Sequence, residues 1–258
     1  MFYIFGLLFF EGKLFAQQNV NSIETDRPDI TESAVVVPSG LYQLESGTLF
    51  ENKNMTSEGI KINFHNYTII TSMLRVGLIN NVELRFAGDY LNQTVMNSSN
   101  QSNNTGFANI LAGAKYQFTK QEVSGQDLGI IIQLYLPVGN EVFTPPNTEP
   151  EILLAYGKDF SETFSLSANI GSRWNGTDNL MIFLYSASFG IKVNDYWDSF
   201  LELYGDASKG NPFNYNFDCG IAYRLLDNLQ FDASIGDELS TGIENYFISA
   251  GISVRMPK

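Results

Sequence analysis

Two kinds of side chain alternate strictly along Val82-Glu83-Leu84-Arg85-Phe86-Ala87-Gly88-Asp89-Tyr90. The even positions are apolar, aromatic or glycine, whereas three of the four odd positions are ionisable. Successive side chains of a β-strand point to opposite faces. This stretch therefore predicts a strand that separates an apolar environment from a polar one.

The same alternation extends in both directions in segments of about ten residues, as in residues 109–118, 216–224 and 229–236. We predict about twelve strands, an even number as in bacterial outer-membrane barrels. They lie at residues 41–51, 60–79, 82–95, 107–119, 127–137, 150–158, 164–174, 181–193, 197–206, 214–225, 228–236 and 245–256.

The predicted connections differ in length. Tight ones fall at residues 80–81, 159–162, 194–196 and 227, with a somewhat longer one near 124–125. They alternate with connections rich in Asn, Ser, Gly and Thr at residues 52–59, 96–106, 138–149, 207–213 and 237–244, and with a short one at 175–179. A soluble sandwich would also alternate, but an outer-membrane barrel explains short turns at one end and longer loops at the other.

The composition supports a membrane barrel. Aromatic residues make up 14% of the chain and charged residues only 17%, below the roughly 25% usual for soluble domains. Beyond the N-terminus, no run approaches the roughly 20 apolar residues that a spanning helix needs. We therefore predict an all-β fold: an antiparallel transmembrane β-barrel of the bacterial outer membrane, with outer-membrane lipid as its surroundings.

Aromatic residues occur near the ends of several predicted strands. They are interpreted as interfacial girdles, with single core aromatics as the alternative. These residues are Tyr42, Phe50, Tyr90, Trp174, Tyr196, Trp197 and Tyr246.

The chain divides into three predicted parts. Residues 1–16 are interpreted as a signal peptide, because an apolar stretch at 2–10 is followed by a small residue, Ala16, before Gln17. Glu11 and Lys13 interrupt it and no basic residue precedes the apolar stretch, so a start further upstream and a buried strand are the alternatives. Residues 17–40 form an extended periplasmic or lumenal segment, and residues 41–258 form the barrel.

Several classes of function are disfavoured by charge and by residue counts. The net charge of -13 argues against nucleic acid as a partner. A single cysteine, Cys219, and a single histidine, His65, provide neither an internal disulfide nor a zinc site. We predict no cofactor, no metal and no enzymatic activity.

Acidic and basic residues cluster in the predicted N-terminal segment. Within nine residues it carries Glu24, Asp26, Arg27, Asp29 and Glu32. Because Pro28 disfavours helix just before it, the cluster is predicted to be extended. It lies at the periplasmic mouth or inside the lumen, with Arg27 bridging acidic groups or meeting charges of the barrel, or it forms a solvated leader.

The charged face of the strands predicts a lumen lined by both signs of charge. Opposite charges on neighbouring strands offset the desolvation of each other, so the lumen is expected to be narrow or plugged. These charges form either a structural network or a substrate path. They are Glu45, Arg75, Glu83, Arg85, Asp89, Lys115, Arg173, Glu202, Asp218, Arg224, Asp232 and Arg255.

The last predicted strand, residues 249–256, resembles the C-terminal assembly signal of outer-membrane proteins, with Met256 where an aromatic residue is usual. The resemblance implies that the barrel-insertion machinery is a partner of this strand.

Residues 24–33 and 37–45 resemble the start of a bacterial outer-membrane transporter family labelled for the meta-cleavage (MetA) pathway of phenol degradation. Further matching stretches are residues 74–78, 82–85, 113–116, 136–139 and 200–205. The resemblance implies a barrel that passes small, often hydrophobic molecules.

The predicted function is therefore passive or facilitated passage of a small molecule. One alternative is a structural or ligand-binding barrel with a closed lumen. Another is a barrel hydrolase that uses His65 as its base, since the extrapolated alternation places His65 in the lumen, although no Gly-x-Ser-x-Gly motif accompanies it.

Overall fold

Twelve antiparallel strands close into a barrel in which every strand pairs with its neighbours in the chain and β1 pairs with β12. The computed structural model describes residues 22–57, 60–97, 100–210, 213–239 and 245–257. The predicted signal peptide lies outside the described residues. The prediction of an all-β antiparallel barrel is confirmed.

The elements are β1 (Tyr42–Ser57), β2 (Ile60–Ile79), β3 (Val82–Asn97), β4 (Gln101–Thr119), α1 (Gln121–Ser124), β5 (Asp127–Leu136), β6 (Glu149–Asp159), β7 (Phe164–Trp174), β8 (Met181–Lys192), β9 (Trp197–Ser208), β10 (Asn214–Leu226), β11 (Leu229–Glu238) and β12 (Tyr246–Met256). Among the described residues, no helix is long and apolar enough to cross a membrane.

The two faces of the wall differ as the alternation predicts. On β6, Ile152 and Leu154 are 41% and 53% exposed, whereas the intervening Leu153 is 7% exposed. On β3, Phe86 is 45% exposed, whereas its neighbour Arg85 is fully buried. The outer face is thus apolar and suited to lipid, and the inner face carries the charges.

Aromatic rings contact each other in pairs near both ends of the barrel. Near the short-turn end, the rings of Trp197 and Tyr223 lie 4.7 Å apart. Near the opposite end, where β12 begins, those of Phe50 and Tyr246 lie 6.2 Å apart. This arrangement is typical of interfacial girdles.

Two predicted loops are in fact largely strand. Residues 52–57 continue β1, and residues 96–97 and 101–106 belong to β3 and β4. These residues are rich in Asn, Ser and Thr and polar on both faces, so they lack the alternation that marks a strand buried on one side. The backbone pairing nevertheless continues, and β2 reaches 20 residues where β5 has 10.

The predicted lumenal position of His65 is wrong. A register shift between Thr68 and Ile70 inserts an extra residue into β2 and reverses the facing of every residue beyond it. His65 is therefore on the outer face, where its ring stacks on Phe50 at 6.3 Å between centroids. Phe50 pairs in turn with the outward-facing Ile248.

Candidate functional site

Residues 22–40, which we call the lumenal segment, lie inside the barrel. Near one end, the Ile23 N–H donates to the Asp227 carbonyl at 2.7 Å; at the other, the Gly40 N–H donates to the Gly77 carbonyl at 2.9 Å. Between them, Ala34 is buried against the inner face of β5 and β6, in a small apolar cluster. The other members of that cluster are Ile131, Leu153 and Ala155.

Asp26 of the lumenal segment contacts three cations of the barrel wall. Its carboxylate lies 3.3 Å from Arg75 Nη1, 3.2 Å from Arg85 Nη2 and 3.0 Å from Lys115 Nζ. The side chains of all three cations are fully buried. Burial raises the pKa of Asp26, but Arg75, Lys115 and Arg85 outweigh that effect and hold it well below its usual range.

The wall supplies carboxylates mainly to Arg75. Glu45 and Glu83 each place an oxygen 2.8 Å from its guanidinium. Arg85 is paired with Glu32 of the lumenal segment and lies 3.8 Å from Glu83. Lys115 donates to the Ser33 carbonyl at 2.6 Å as well as to Asp26, so its acceptors among the described residues all belong to the lumenal segment.

The opposite side of the lumen is acidic. Glu202 on β9 accepts hydrogen bonds from the backbone N–H groups of Ile30 and Thr31, each at 2.7 Å, and from the Thr31 hydroxyl. Its register partner on β10 is Asp218, which is fully buried. Among the described residues, the Asp218 carboxyl has no hydrogen-bond partner other than Glu202 beside it. Burial and the nearby Glu202 raise the pKa of Asp29, on the lumenal segment, well above its usual range.

Arg27 lies against β1 and β12 and reaches Asp232, an acidic residue of β11. Its Nη2 atom donates to Asp232 Oδ1 at 2.9 Å. Gly47 and Gly251, which are register partners on β1 and β12, leave space for the guanidinium. A Cβ atom at Gly47 would come within 2.6 Å of Arg27 Cζ, and one at Gly251 within 2.5 Å of Nε. Only glycine fits at either position while Arg27 stays in place.

The remaining predicted residues lie at the edges of this network. Asp89 is half-buried and hydrogen-bonds Thr71. Arg224 pairs with Asp198 at 2.8 Å near the short-turn end. The Glu24 side chain accepts from the Ser33 hydroxyl at 3.3 Å, and Arg255 reaches the Ser22 carbonyl at 3.4 Å.

Arg173 is also at the edge, and it reveals a residue that the sequence analysis missed. Its guanidinium lies 2.6 Å from Glu151 and 4.4 Å from the centre of the Tyr135 ring. Glu151 faces inward on β6, but the next inward positions, Leu153 and Ala155, are apolar like the outer face. Because β6 is apolar on both faces beyond Glu151, its sequence did not predict that Glu151 faces the lumen.

Uncharged polar residues also hold the lumenal segment and were not predicted. Asn169 accepts from the Glu32 N–H at 2.7 Å and donates to the Glu32 carbonyl at 2.9 Å. Gln43 donates to the Glu24 carbonyl at 2.7 Å. The alternation places both residues on the inner face of their strands, but the predicted network contained charged residues alone.

Two cavities flank the lumenal segment at the short-turn end. One has a volume of about 690 Å³ and is lined by residues such as Lys120 and Asp127; the other has about 480 Å³ and is lined by residues such as Asp198 and Arg224. Neither is lined by Arg85, Lys115 or Asp218, although the second reaches Arg27 and Thr31 of the lumenal segment. Among the described residues, no group of three His, Cys, Asp or Glu side chains could hold a metal ion.

A family model described as "Putative MetA-pathway of phenol degradation" matches residues 25–256. It thus includes most of the lumenal segment as well as the barrel. No relative was found among curated protein sequences.

Solved structures share the fold. An outer-membrane channel from Pseudomonas putida F1 superposes with a TM-score of 0.66 and 14% identity over 90% of this chain and 100% of that chain. The translocator domain of the autotransporter NalP from Neisseria meningitidis gives a TM-score of 0.58 and 9% identity over 83% and 88%. The KdgM porin, solved in complex with disordered oligogalacturonate, gives 0.54 and 9% over 82% and 98%.

Replacing Asp26 tests how strongly the ion contacts hold the structure. We expect Asp26→Asn to lower the free energy of unfolding by about 3–5 kcal/mol, because it leaves buried cations short of a carboxylate. Urea unfolding in lipid vesicles measures this change. Glu141→Gln, at an exposed loop carboxylate, is the control and should change little.

The effect of Asp26→Asn also has a predicted pH dependence. The folded-state pKa is depressed, so the stabilisation is present above the unfolded-state pKa of about 4 and is lost as pH falls through the folded-state pKa. The difference between the two proteins should thus be constant near neutral pH and shrink only in acid. A difference that vanishes between pH 8 and 6 would contradict this assignment.

Gly251→Val tests the position of Arg27. The added side chain would displace the guanidinium from Asp232, so we expect faster hydrogen exchange at the Asp26, Ile30 and Thr31 amides, which all donate to wall carboxylates. Mass spectrometry of the exchanged protein provides the measurement. Gly88→Val is the control, because nothing lies within 4 Å of its added Cβ. Unchanged exchange in Gly251→Val would show that Arg27 does not hold the segment.

Proposed function

The chain belongs to the family described for the MetA pathway of phenol degradation, and we propose that it is an outer-membrane channel for passive or facilitated passage of a small molecule. The observation that carries the proposal is that the stretch of chain before β1, the lumenal segment, lies in the lumen and contacts its charged middle through polar groups. Asp26 meets three wall cations, and Glu202 is capped by three donors from the segment. Water or a solute can take the place of the segment in these ion pairs and hydrogen bonds, whereas neither could replace the contacts of a packed apolar core.

The size of the barrel supports the same proposal. Barrels of eight strands are filled by their own side chains, whereas those of sixteen or more enclose open channels. Twelve strands enclose enough space for one extended segment and the charges around it. When the segment moves aside, a narrow polar path remains.

The proposed setting is the bacterial outer membrane, with lipid around the apolar outer face. The C-terminal strand β12, which closes the barrel against β1, is the element that we propose the barrel-insertion machinery recognises. Both cavities and both ends of the lumenal segment lie at the short-turn end, which is the periplasmic end of outer-membrane barrels.

The second candidate function is a structural or ligand-binding barrel whose lumen stays closed. It is favoured by the two cavities, because neither of them is lined by Arg85 or Lys115. The hydrolase alternative loses its base, because His65 stacks on Phe50 outside the barrel. We propose that the protein is not an enzyme.

A reversible cross-link distinguishes a channel from a closed barrel. The hydroxyls of Thr31 and Ser186 hydrogen-bond each other at 2.8 Å, so we choose these positions for a disulfide that ties the segment to β8. In a Cys219→Ala background, we expect oxidised Thr31→Cys/Ser186→Cys to show lower conductance in planar bilayers than the same protein after reduction. The single Thr31→Cys variant is the control and should not respond to the redox change.

Two results would count against the proposal. Equal conductance before and after reduction would mean that solutes pass around a stationary segment. No conductance in either state, nor in the unmodified protein, would favour the closed barrel.

A further inference from the structure

The barrel closes between two strands that the chain does not connect directly. Every other pair of neighbouring strands is joined by a turn or a loop, whereas β1 and β12 lie at opposite ends of the barrel sequence. The entropic cost of bringing such distant strands together must be met before their contacts stabilise the fold. We call the pairing of β1 with β12, from Tyr42↔Met256 to Asn52↔Tyr246, the closing seam.

The middle of the closing seam has glycine on both strands. Gly47 lies opposite Gly251, and among the strand pairs of the described residues this is the only register pair made of two glycines. The next inward pair is Glu45 with Ser253, whose buried hydroxyl has no hydrogen-bond partner within the described chain. Opposed side chains are a main source of sheet stability, and glycine supplies none. The two strands alone therefore hold the seam weakly at this point.

Arg27 of the lumenal segment occupies the space that the two glycines leave. Its guanidinium lies over Gly47 on β1 and over Gly251 on β12. Its Nη2 atom donates to Ser249 Oγ of β12 at 3.0 Å and to Asp232 Oδ1 of β11 at 2.9 Å. Asp232 is the register partner of Gly251. One side chain thus covers the seam and is fixed to the two strands on one side of it.

The backbone beside Arg27 is bound by both strands of the seam. Gln43 on β1 and Arg255 on β12 are register partners. Gln43 donates to the Glu24 carbonyl at 2.7 Å, and Arg255 reaches the Ser22 carbonyl at 3.4 Å. The two sides of the seam are therefore joined through one short stretch of the lumenal segment.

Further contacts attach the same stretch to both sides. Glu45 of β1 accepts from the Asp26 N–H, at 3.1 Å to one carboxylate oxygen and 3.3 Å to the other. Gln230 of β11 donates to the Thr25 hydroxyl at 2.9 Å. Residues 22–27 thus contact β1, β12 and β11 together.

These contacts depend on the register of the closing seam. A slip of one residue would turn the inner side chains of one strand outward. A slip of two residues would keep their facing but place Ser249 or Ser253 opposite Gly47, so that a side chain would stand where Arg27 lies. Only the observed register gives Arg27 two opposed positions without side chains.

We propose that residues 22–27 are an intramolecular clamp that sets the register of the closing seam and holds β1 and β12 together. Arg27 is its central positioning residue, because it covers the place where the strands have no side chains of their own. The clamp goes beyond the proposed channel function and does not depend on it.

The first test is hydrogen exchange of the full chain in lipid vesicles, read by mass spectrometry. The variant Arg27→Gln/Asp232→Asn removes the ion pair and leaves no buried charge unpaired. We expect peptides from β1 and β12 to exchange about tenfold faster, which corresponds to a loss of roughly 1.4 kcal/mol in the free energy of opening. Peptides from β6 and β7 should exchange at the native rate.

Thr31→Val is the matched control. It removes hydroxyl contacts of the same segment with Ser186 on β8 and Glu202 on β9, away from the seam. Exchange in β1 and β12 should therefore stay at the native rate.

The second test is rescue by a disulfide in a Cys219→Ala background. Leu44 and Val254 are register partners in the closing seam, and Leu154 and Ile170 are register partners on β6 and β7. Oxidised Leu44→Cys/Val254→Cys should restore native exchange to Arg27→Gln/Asp232→Asn, because it joins the seam covalently. Oxidised Leu154→Cys/Ile170→Cys, the matched pair, should not.

Several outcomes would overturn the clamp. They are native exchange of β1 and β12 in Arg27→Gln/Asp232→Asn, equal acceleration in β6 and β7, or equal rescue by both disulfides. If this variant does not insert into vesicles, insertion itself becomes the readout: recovery with the seam disulfide alone supports the clamp, and no recovery overturns it. None of these outcomes depends on conductance, so the channel proposal is tested separately.

Discussion

The contact between Asp26 and three buried cations organises the interior of this barrel. Arg75, Arg85 and Lys115 come from three successive strands, and each lies within 3.3 Å of one carboxylate. Taking so many charges out of water costs several kcal/mol for each ion, and the cost is offset only when the partners are close and their remaining hydrogen bonds are made. Because the partner is a separate stretch of chain, the stability of the lumen and its closure depend on the same contact.

Much of the surrounding structure follows from accommodating that stretch. Gly47 and Gly251 have no side chain where Arg27 lies flat. Gly77 likewise lies directly against the Pro38 carbonyl, where the segment returns to the wall. The wall supplies both signs of charge: Arg85 and Lys115 pair with Asp26, and Asp232 pairs with Arg27. A lumen with only one sign of charge could not hold it in this register.

The sequence allowed the barrel, the number of strands and the facing of Glu83, Arg85 and Lys115 to be predicted, because polar and apolar residues alternate strictly in the central part of β3 and much of β4. It did not allow the facing of His65 to be predicted, since a single inserted residue in β2 reverses the alternation. The polar extensions of β1, β3 and β4 were taken for loops, because both of their faces are polar. The partners of Asp26 could not be assigned either: Lys115 is 89 residues away in sequence and meets it only when the ring closes.

The central claim is that the lumenal segment, held at Asp26, closes a path through the barrel. Its most direct test is the single-channel conductance of a variant that lacks residues 24–33, compared with the native chain in the same bilayer. The account predicts a steady open level well above the native conductance, because the charged walls then face water. A conductance equal to that of the native chain, from a variant that still forms the barrel, would contradict it.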